Sequence, residues 1–459
     1  MKNMKIFSLL PVILVLMISS LSAASFLPKY SEFKLKNGLR VIMVEDHRQP
    51  MVNFRMNITA GSSCDSAKPG LTVMVLEILK ENTKNYPDGQ MNLVVDSMGG
   101  SLITNVGRTV SFITGDFLSR DLETGLNCLG DMVMHADFRD QDINRMRRRL
   151  ISILGLTASA HSDVLVQQLY EEYYGSVGYG LSPYGTVAGL QDITRDDIVS
   201  SYTRNYRPND AELIIGGDFD KNTLKKLLHR IFDAWTPGDD ICQPISSVHY
   251  PDSLEIYLIN NPGMTVAEFV MGRPAIVPDS SDYAKLLVLN YILGGGGKIS
   301  RLYQDLVRDA ATCNFINSSA ECSRLGGMFY VHGGAFVESS VDALQGVLEN
   351  MKMLGEIKIP VAELQETKNY FSGSQIRNYA SFADAVDNIA TNAACGQKVK
   401  FPEQVIKEID KLTPDQLRDF ARDFFNPAEM TIFVAGPAEK LKRSLNEIAP
   451  VNLMSLGSE

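Results

Sequence analysis

The spacing of apolar and polar positions divides the chain into short strands and amphipathic helices. FKLKNGLRVIMVED, from Phe33, reads as a hairpin turning at Asn37-Gly38, a dipeptide suited to the positive backbone angles of a tight turn. Met51 to Thr59 alternates with the two-residue period of a strand. Pro69 to Lys80 reads as a helix, and Gly99 to Phe117 as two strands around Gly107. Leu122 to His135 and Gln141 to Leu156 carry helical periodicity. Thr194, followed three residues on by Asp197, is an N-cap for a helix that runs through Ile198, Tyr202 and Tyr206 and stops at Pro208. AELIIGGDF, from Ala211, is a buried strand. Lys221 to Trp235 then forms a helix with Leu224, Leu227, Leu228 and Ile231 on one stripe. Strands and helices in mixed order predict an α+β fold.

The chain repeats this plan once. ITRDDIVSSYTRNYRPNDAELIIGG, from Ile193, aligns without a gap on LTPDQLRDFARDFFNPAEMTIFVAG, from Leu412. Thr194 pairs with Thr413, Asp196 with Asp415, Tyr206 with Phe425, Pro208 with Pro427 and Gly217 with Gly436. So long an offset marks a duplicated domain, not a solenoid repeat. The second half restarts at Leu254-Glu-Ile-Tyr-Leu-Ile259, after a stretch rich in Pro, Asp and Ser. The expected organisation is therefore an N-terminal leader at 1–24, a first domain at 25–235, a linker at 236–252 and a homologous domain at 253–459. Each domain is expected to be a mainly antiparallel sheet with helices covering one face.

The leader reading rests on Lys2 and Lys5, the apolar run from Phe7 to Leu21, and the small residues Ser22-Ala23-Ala24. Charge, apolar core and small-residue cleavage site are the pattern of a secretory signal peptide. Cleavage after Ala23 or Ala24 leaves no stable membrane span, the apolar run being short and interrupted; the competing reading is an uncleaved N-terminal anchor. The chain is expected to be exported, and periplasmic if its source is Gram-negative. Its net charge of -10 excludes nucleic acid as an expected partner, since phosphate neutralisation needs clustered Lys and Arg. The one dense basic run, Arg145 to Arg149, reads as a solvated helix face. Six cysteines are scattered, without zinc-finger spacing. Cys313 and Cys322 are placed to face each other across a hairpin, with buried free thiols as the equal alternative. His161-Ser162-Asp163 reads as a loop or helix start, because adjacent residues cannot take up the geometry of a catalytic triad.

Five segments, in order on this duplicated frame, resemble the insulinase/pitrilysin family of zinc peptidases, the inverzincins. The closest likeness is to its half-length bacterial and mitochondrial-processing-peptidase-like members. The segments are the opening hairpin; AGSSCDSAKPGLT, which resembles the lead into the family's zinc helix; MGGSLITNVGRTVSFITGDF; RNYRPNDAELIIGGDFD; and LNYILGGGGKISRLYQDLVRD. The family motif is H-x-x-E-H on a helix, which places two imidazoles on one face for a tetrahedral zinc and a glutamate beside the bound water. Aligned on Gly70-Leu71, Leu79 and Thr83, the two histidine positions hold Val73 and Glu77, and the general-base position holds Leu76. The distant glutamate ligand corresponds to Ile153 in RRRLISILGL. The resemblance thus implies a non-catalytic homologue with no catalytic or metal-ligating residues of its own. Zinc is expected only in a partner subunit.

What the resemblance leaves is binding. The family's edge strand, which takes extended peptide by strand addition, corresponds to the stretch from Leu102 to Phe112, with Leu102, Ile103, Thr104 and Asn105 as candidate contacts. The glycine run Gly294, Gly295, Gly296 and Gly297 resembles a segment near substrate in the non-catalytic mitochondrial subunit. In paired bacterial relatives the zinc-free subunit lends an arginine and a tyrosine to its partner's site; those positions hold Val307 and Asn314 here. Arg308, one residue later, is the remaining candidate if a bulge shifts the register. The implied function is a non-catalytic subunit that pairs with a homologous zinc-binding peptidase and helps enclose peptide or unfolded polypeptide. The alternatives are a scaffold or peptide-binding protein with no peptidase partner, and a metallopeptidase with non-standard ligands.

Overall fold

The computed structural model describes residues 25–65, 68–157, 161–239, 242 and 247–454. The expected leader at 1–24, parts of the expected linker and residues 455–459 lie outside the described residues. Two six-stranded sheets form the frame. The first has the order β1-β2-β6-β3-β5-β4, from β1 (Ser31–Lys34), β2 (Arg40–Glu45), β3 (Met51–Ile58), β4 (Ser101–Val106), β5 (Ser111–Leu118) and β6 (Ala211–Gly217). The second runs β12-β7-β11-β8-β10-β9, from β7 (Glu255–Asn260), β8 (Val266–Pro274), β9 (Phe315–Ser323), β10 (Gly326–Phe336), β11 (Thr431–Gly436) and β12 (Val451–Met454). Most pairings are antiparallel; β2 with β6, and β7 with both β11 and β12, are parallel.

The two sheets show the duplication in three dimensions. In each, a late strand is inserted beside an early one, β6 next to β2 and β11 next to β7. The helix before each inserted strand begins with the same reciprocal cap. Thr194 accepts from the Asp197 amide while the Asp197 carboxylate accepts from the Thr194 amide, and Thr413 and Gln416 repeat the exchange. Such a box satisfies two of the amides that a helix start otherwise leaves unpaired.

One face of the first sheet packs on helices Leu71–Ile78, Leu122–His135, Asp140–Thr157, Arg195–Asn205 and Lys221–Phe232, through Val52, Phe54, Met56 and Ile58 of β3 among others. The second sheet packs in the same way through Phe269, Met271, Phe329, Ile432 and Val434. The opposite faces show a feature beyond the one-face expectation: each receives a helix from the other half. Phe382–Ala394 lays Ala385, Val386, Ile389 and Ala390 against Ile42, Val44 and Ile214 of the first sheet. His161–Tyr174 lays Leu165, Leu169, Tyr170 and Tyr173 against Val270, Met328, Phe433 and Ala435 of the second. This exchange explains why β2 is apolar at consecutive positions: both of its faces are covered. It also explains Arg55 on the far side of β3. Its guanidinium is desolvated, meets the Asp387 carboxylate at 2.6 Å, donates to Asn57 and Thr391, and lies over the Phe112 ring.

The exchanged helices predict matched losses. Leu169→Ala and Ile389→Ala each remove a side chain no more than 1% exposed from an interface between the halves. Each is expected to lower the unfolding free energy by about 3 kcal/mol, read as a fall in the urea midpoint. A loss for only one of the two would contradict the equivalence of the two contacts.

Of the two readings for Cys313 and Cys322, the structure has the free thiols, and it pairs two other cysteines. Cys64 bonds to Cys242, joining positions 178 residues apart in sequence, while Cys313 and Cys322 are both free thiols. Cys322 lies within β9 and Cys313 just ahead of the same strand, so no hairpin brings them face to face. His161-Ser162-Asp163 opens a helix. The basic run is only partly a solvated face: Arg147 donates to the carbonyls of Leu190 and Ile193, whereas Arg148 and Arg149 are exposed. Among the described residues no helix is long and apolar enough to cross a membrane.

Candidate functional site

The helix Leu71–Ile78 carries the positions where the resemblance puts zinc ligands, and its start is tightly built. The backbone amides of Ser62 and Ser63 donate to the carbonyls of Gly107 and Arg108, tying the lead-in loop to the turn between β4 and β5. Cys64 then anchors this loop to Cys242. Next, the Asp65 carboxylate accepts from the amides of Gly70 and Thr72, both at 2.9 Å, and from the Thr72 hydroxyl. Its oxygens serve as a remote N-terminal cap, accepting from amides at the start of the helix. Three separate devices therefore hold the helix start, and one of them ties its lead-in loop to the hairpin that includes the edge strand.

The side chains along that helix are apolar where ligand chemistry would need donors. Val73 and Leu76 are buried in the first-half core, and Ile153, on helix Asp140–Thr157, packs against the same cluster. Glu77 alone is polar. It is half-buried, and its carboxylate accepts from the Thr104 hydroxyl of β4 at 2.7 Å. Glu77 is thereby a tie between helix and edge strand. Nearby, the Tyr206 hydroxyl is buried with no hydrogen-bond partner among the described residues, and burial raises its pKa, with Asp65 and Glu77 adding to the effect. Tyr206 was not legible as part of this region: it occupies a helical stripe position that reads as plain core.

Burial pushes the Asp65 carboxyl up to about 7 against the pull of its hydrogen bonds. The folded chain therefore binds this proton more tightly than the unfolded chain, whose aspartate titrates near the ordinary value of 3.8. The stability contributed by protonated Asp65 is complete below pH ~4 and is lost as pH rises through ~7. Raising pH from 5.5 to 7.5 is expected to remove about 2 kcal/mol through this group. Asp65→Asn should flatten that part of the stability profile, measured by denaturant midpoints across the range. An unchanged slope in the variant would show that the proton sits elsewhere.

The peptide-binding candidates are at the sheet's rim. β4 has a strand neighbour on one side only, β5, so its other side is an edge. Along it Ile103 is 51% exposed, Asn105 is exposed, Leu102 is half-buried and Thr104 is turned in toward Glu77. The second half repeats the arrangement at its own edge strand, β9: the Ser318 hydroxyl donates to the Asn290 side chain at 2.7 Å, as Thr104 does to Glu77. The glycine run follows directly. A side chain on Gly294 would meet the Ser318 backbone nitrogen at 2.6 Å, so this glycine is set by close packing against β9. Gly297 has φ +63° and open space around it. Gly295 and Gly297 are exposed, and Gly296 is half-buried beside Tyr291. Arg308 lies in a widened, π-helical turn from Tyr303 to Asp309, where its guanidinium is engaged by the Asp309 carboxylate at 2.7 and 2.9 Å. Val307 packs toward the second-half core, and Asn314 is exposed. The two edge strands thus have corresponding places in the two halves.

Fold and helix–edge-strand geometry together define a two-domain, peptidase-like chain. It belongs to the insulinase family, peptidase M16: residues 40–186 match the model "Insulinase (Peptidase family M16)" and residues 192–371 match "Peptidase M16 inactive domain". It is similar to the non-peptidase homolog YmxG of Helicobacter pylori, 20% identical, over 88% of this chain and 93% of that one. It is also similar to the zinc protease PqqE of the same organism, 23% identical, over 83% and 87%. A third relative is the mitochondrial-processing peptidase subunit beta of Saccharomyces cerevisiae, 22% identical, over 86% and 88%. Among solved structures, a peptidase M16 inactive domain from Pseudomonas fluorescens superposes with a TM-score of 0.82 at 21% identity, covering 89% of this chain and 98% of that one.

Proposed function

We propose that this chain is a non-catalytic, exported subunit that pairs with a zinc-binding homologue and holds extended peptide on its β4 edge. The single observation that carries the reading is the contrast within one helix. Its start is secured by Asp65, the Cys64–Cys242 bridge and the edge-strand turn, while Val73, Leu76 and Ile153, where the resemblance puts ligands and base, pack into the apolar core. A frame held this firmly around apolar positions suits binding better than hydrolysis. Relatives named as a subunit and as a non-peptidase homolog support pairing and lack of activity respectively; the relative named as a zinc protease is the kind of chain that would supply the metal. In this reading peptide backbone adds to β4 as a further strand, where main-chain hydrogen bonds give affinity with little sequence preference.

Two measurements test the proposal. Co-expressed with its H-x-x-E-H homologue, the chain should co-purify and raise that homologue's peptide hydrolysis; a monomeric chain with no effect on activity refutes pairing. Hydrogen exchange with and without an extended peptide should show new protection at the amides of Leu102 to Asn105. Protection confined to other segments would refute binding at this edge.

A further inference from the structure

We propose that Cys322 and Cys395 are a thiol pair that closes to a second disulfide, fastening the outer strand of the second sheet to the end of the helix that covers the first. Cys322 lies on β9, and Cys395 is the C-terminal cap of helix Phe382–Ala394. The Cys395 sulfur is 3.6 Å from the Cys322 carbonyl oxygen, so the two residues touch across 73 positions of sequence. Both side chains are half-buried, unlike the fully buried thiols Cys128 and Cys313. Burial raises the pKa of Cys322, with negative charge on Cys395 adding to it, and burial raises Tyr283, with both thiols adding. The bridge already present between Cys64 and Cys242 shows that the fold accommodates an oxidised cysteine pair. This inference does not depend on the peptidase reading.

The chemistry is thiol–disulfide exchange with a small disulfide such as oxidised glutathione. Cys395 is the expected attacker. Burial raises its pKa, but the Arg55 guanidinium opposes that rise, whereas burial pushes the Cys322 thiol up to about 12. The Cys395 thiol gives up its proton, and its thiolate attacks one glutathione sulfur. The glutathione S–S bond breaks, and the departing glutathione thiolate takes up a proton. The Cys322 thiolate then attacks the Cys395 sulfur and expels the second glutathione. Two protein thiols are oxidised by two electrons, and one glutathione disulfide is reduced to two thiols. Because both protein thiols are held in the protonated form, exchange should be slow at neutral pH and faster as pH rises.

Joining these residues ties the β9–β10 hairpin to a helix that packs on the first sheet, where Asp387 and Ala390 also accept from Arg55 and Asn57 of β3. Oxidation would then limit movement of the second-half rim against the first half.

The experiment treats the purified full chain with oxidised glutathione at pH 8.5, traps remaining thiols with N-ethylmaleimide and maps peptides without reduction. The expected product is a cross-linked peptide containing Cys322 and Cys395, with slower amide exchange in the turn from Ser323 to Gly327. Cys322→Ser should instead accumulate glutathione on Cys395, and Cys395→Ser should leave Cys322 unmodified. Recovery of both wild-type thiols as maleimide adducts would overturn the proposal. So would separate glutathione adducts on each, a different pairing, or unchanged exchange in the cross-linked chain.

Discussion

Leu76→Glu, which restores the family's general-base letter, is expected to destabilise the chain by about 4 kcal/mol or more without producing activity. Leu76 is 0% exposed, within the first-half core. Removing its side chain from that core loses roughly 2–3 kcal/mol of burial and packing. A carboxylate in its place is desolvated with no cation assigned to it, and an uncompensated buried charge adds several kcal/mol more. The fuller test is the triple variant Val73→His, Leu76→Glu and Glu77→His. It completes H-x-x-E-H but leaves Ile153 at the third-ligand position, and it removes the Glu77 carboxylate that accepts from Thr104. The expected result is a lower denaturant midpoint, sub-stoichiometric zinc and no peptide hydrolysis. A variant that folds stably, holds one zinc per chain and cleaves peptide would show that only the ligand letters separate this chain from an active peptidase.

Loss of the Cys64–Cys242 bridge is expected to be comparably severe. The bond closes a loop spanning a sequence separation of 178 residues. In the chain-entropy account a loop of that size stabilises by about 5 kcal/mol at most, and native bridges commonly give about 2–5 kcal/mol. The location adds a specific consequence. Cys64 sits one residue before Asp65, so releasing it loosens the loop that caps helix Leu71–Ile78 and packs on the β4–β5 turn. Cys64→Ser/Cys242→Ser should therefore unfold at lower denaturant, and its amides from Leu71 to Met74 should exchange faster than those of the second half. Reductant added to wild type should reproduce the shift. A midpoint that reductant leaves unchanged would contradict any stabilising role for the bridge.

Much of the frame was legible along the chain because it is local. The cap at Thr194, the break at Pro208, the turn at Asn37-Gly38 and the alternation from Met51 to Ile58 each specify their own few residues, and the structure has them at those places. The duplication was legible because two copies of one block kept their caps and strand endings in register. The apolar character of Val73, Leu76 and Ile153, where the resemblance puts ligands and base, was legible for a simpler reason: those residues need only be read off.

What required the tertiary structure is non-local by nature. Only the fold shows that the helices carrying Leu165 and Leu169, and Ala385 and Ile389, each cross to the other half's sheet. Arg55 reads as a polar alternate on a strand, and only Asp387, far along the chain, explains why it is buried. Cysteine spacing left several pairings open because loop closure costs grow only slowly with length, so sequence distance did not disfavour Cys64 with Cys242. Asp65 likewise looks like one more loop carboxylate until the fold desolvates it and sets it against the start of a helix. The sequence by itself determined the elements and their duplication, through interactions spanning a few residues. The tertiary structure decided which surfaces those elements cover and which polar groups are buried, because burial depends on what arrives from the other end of the chain.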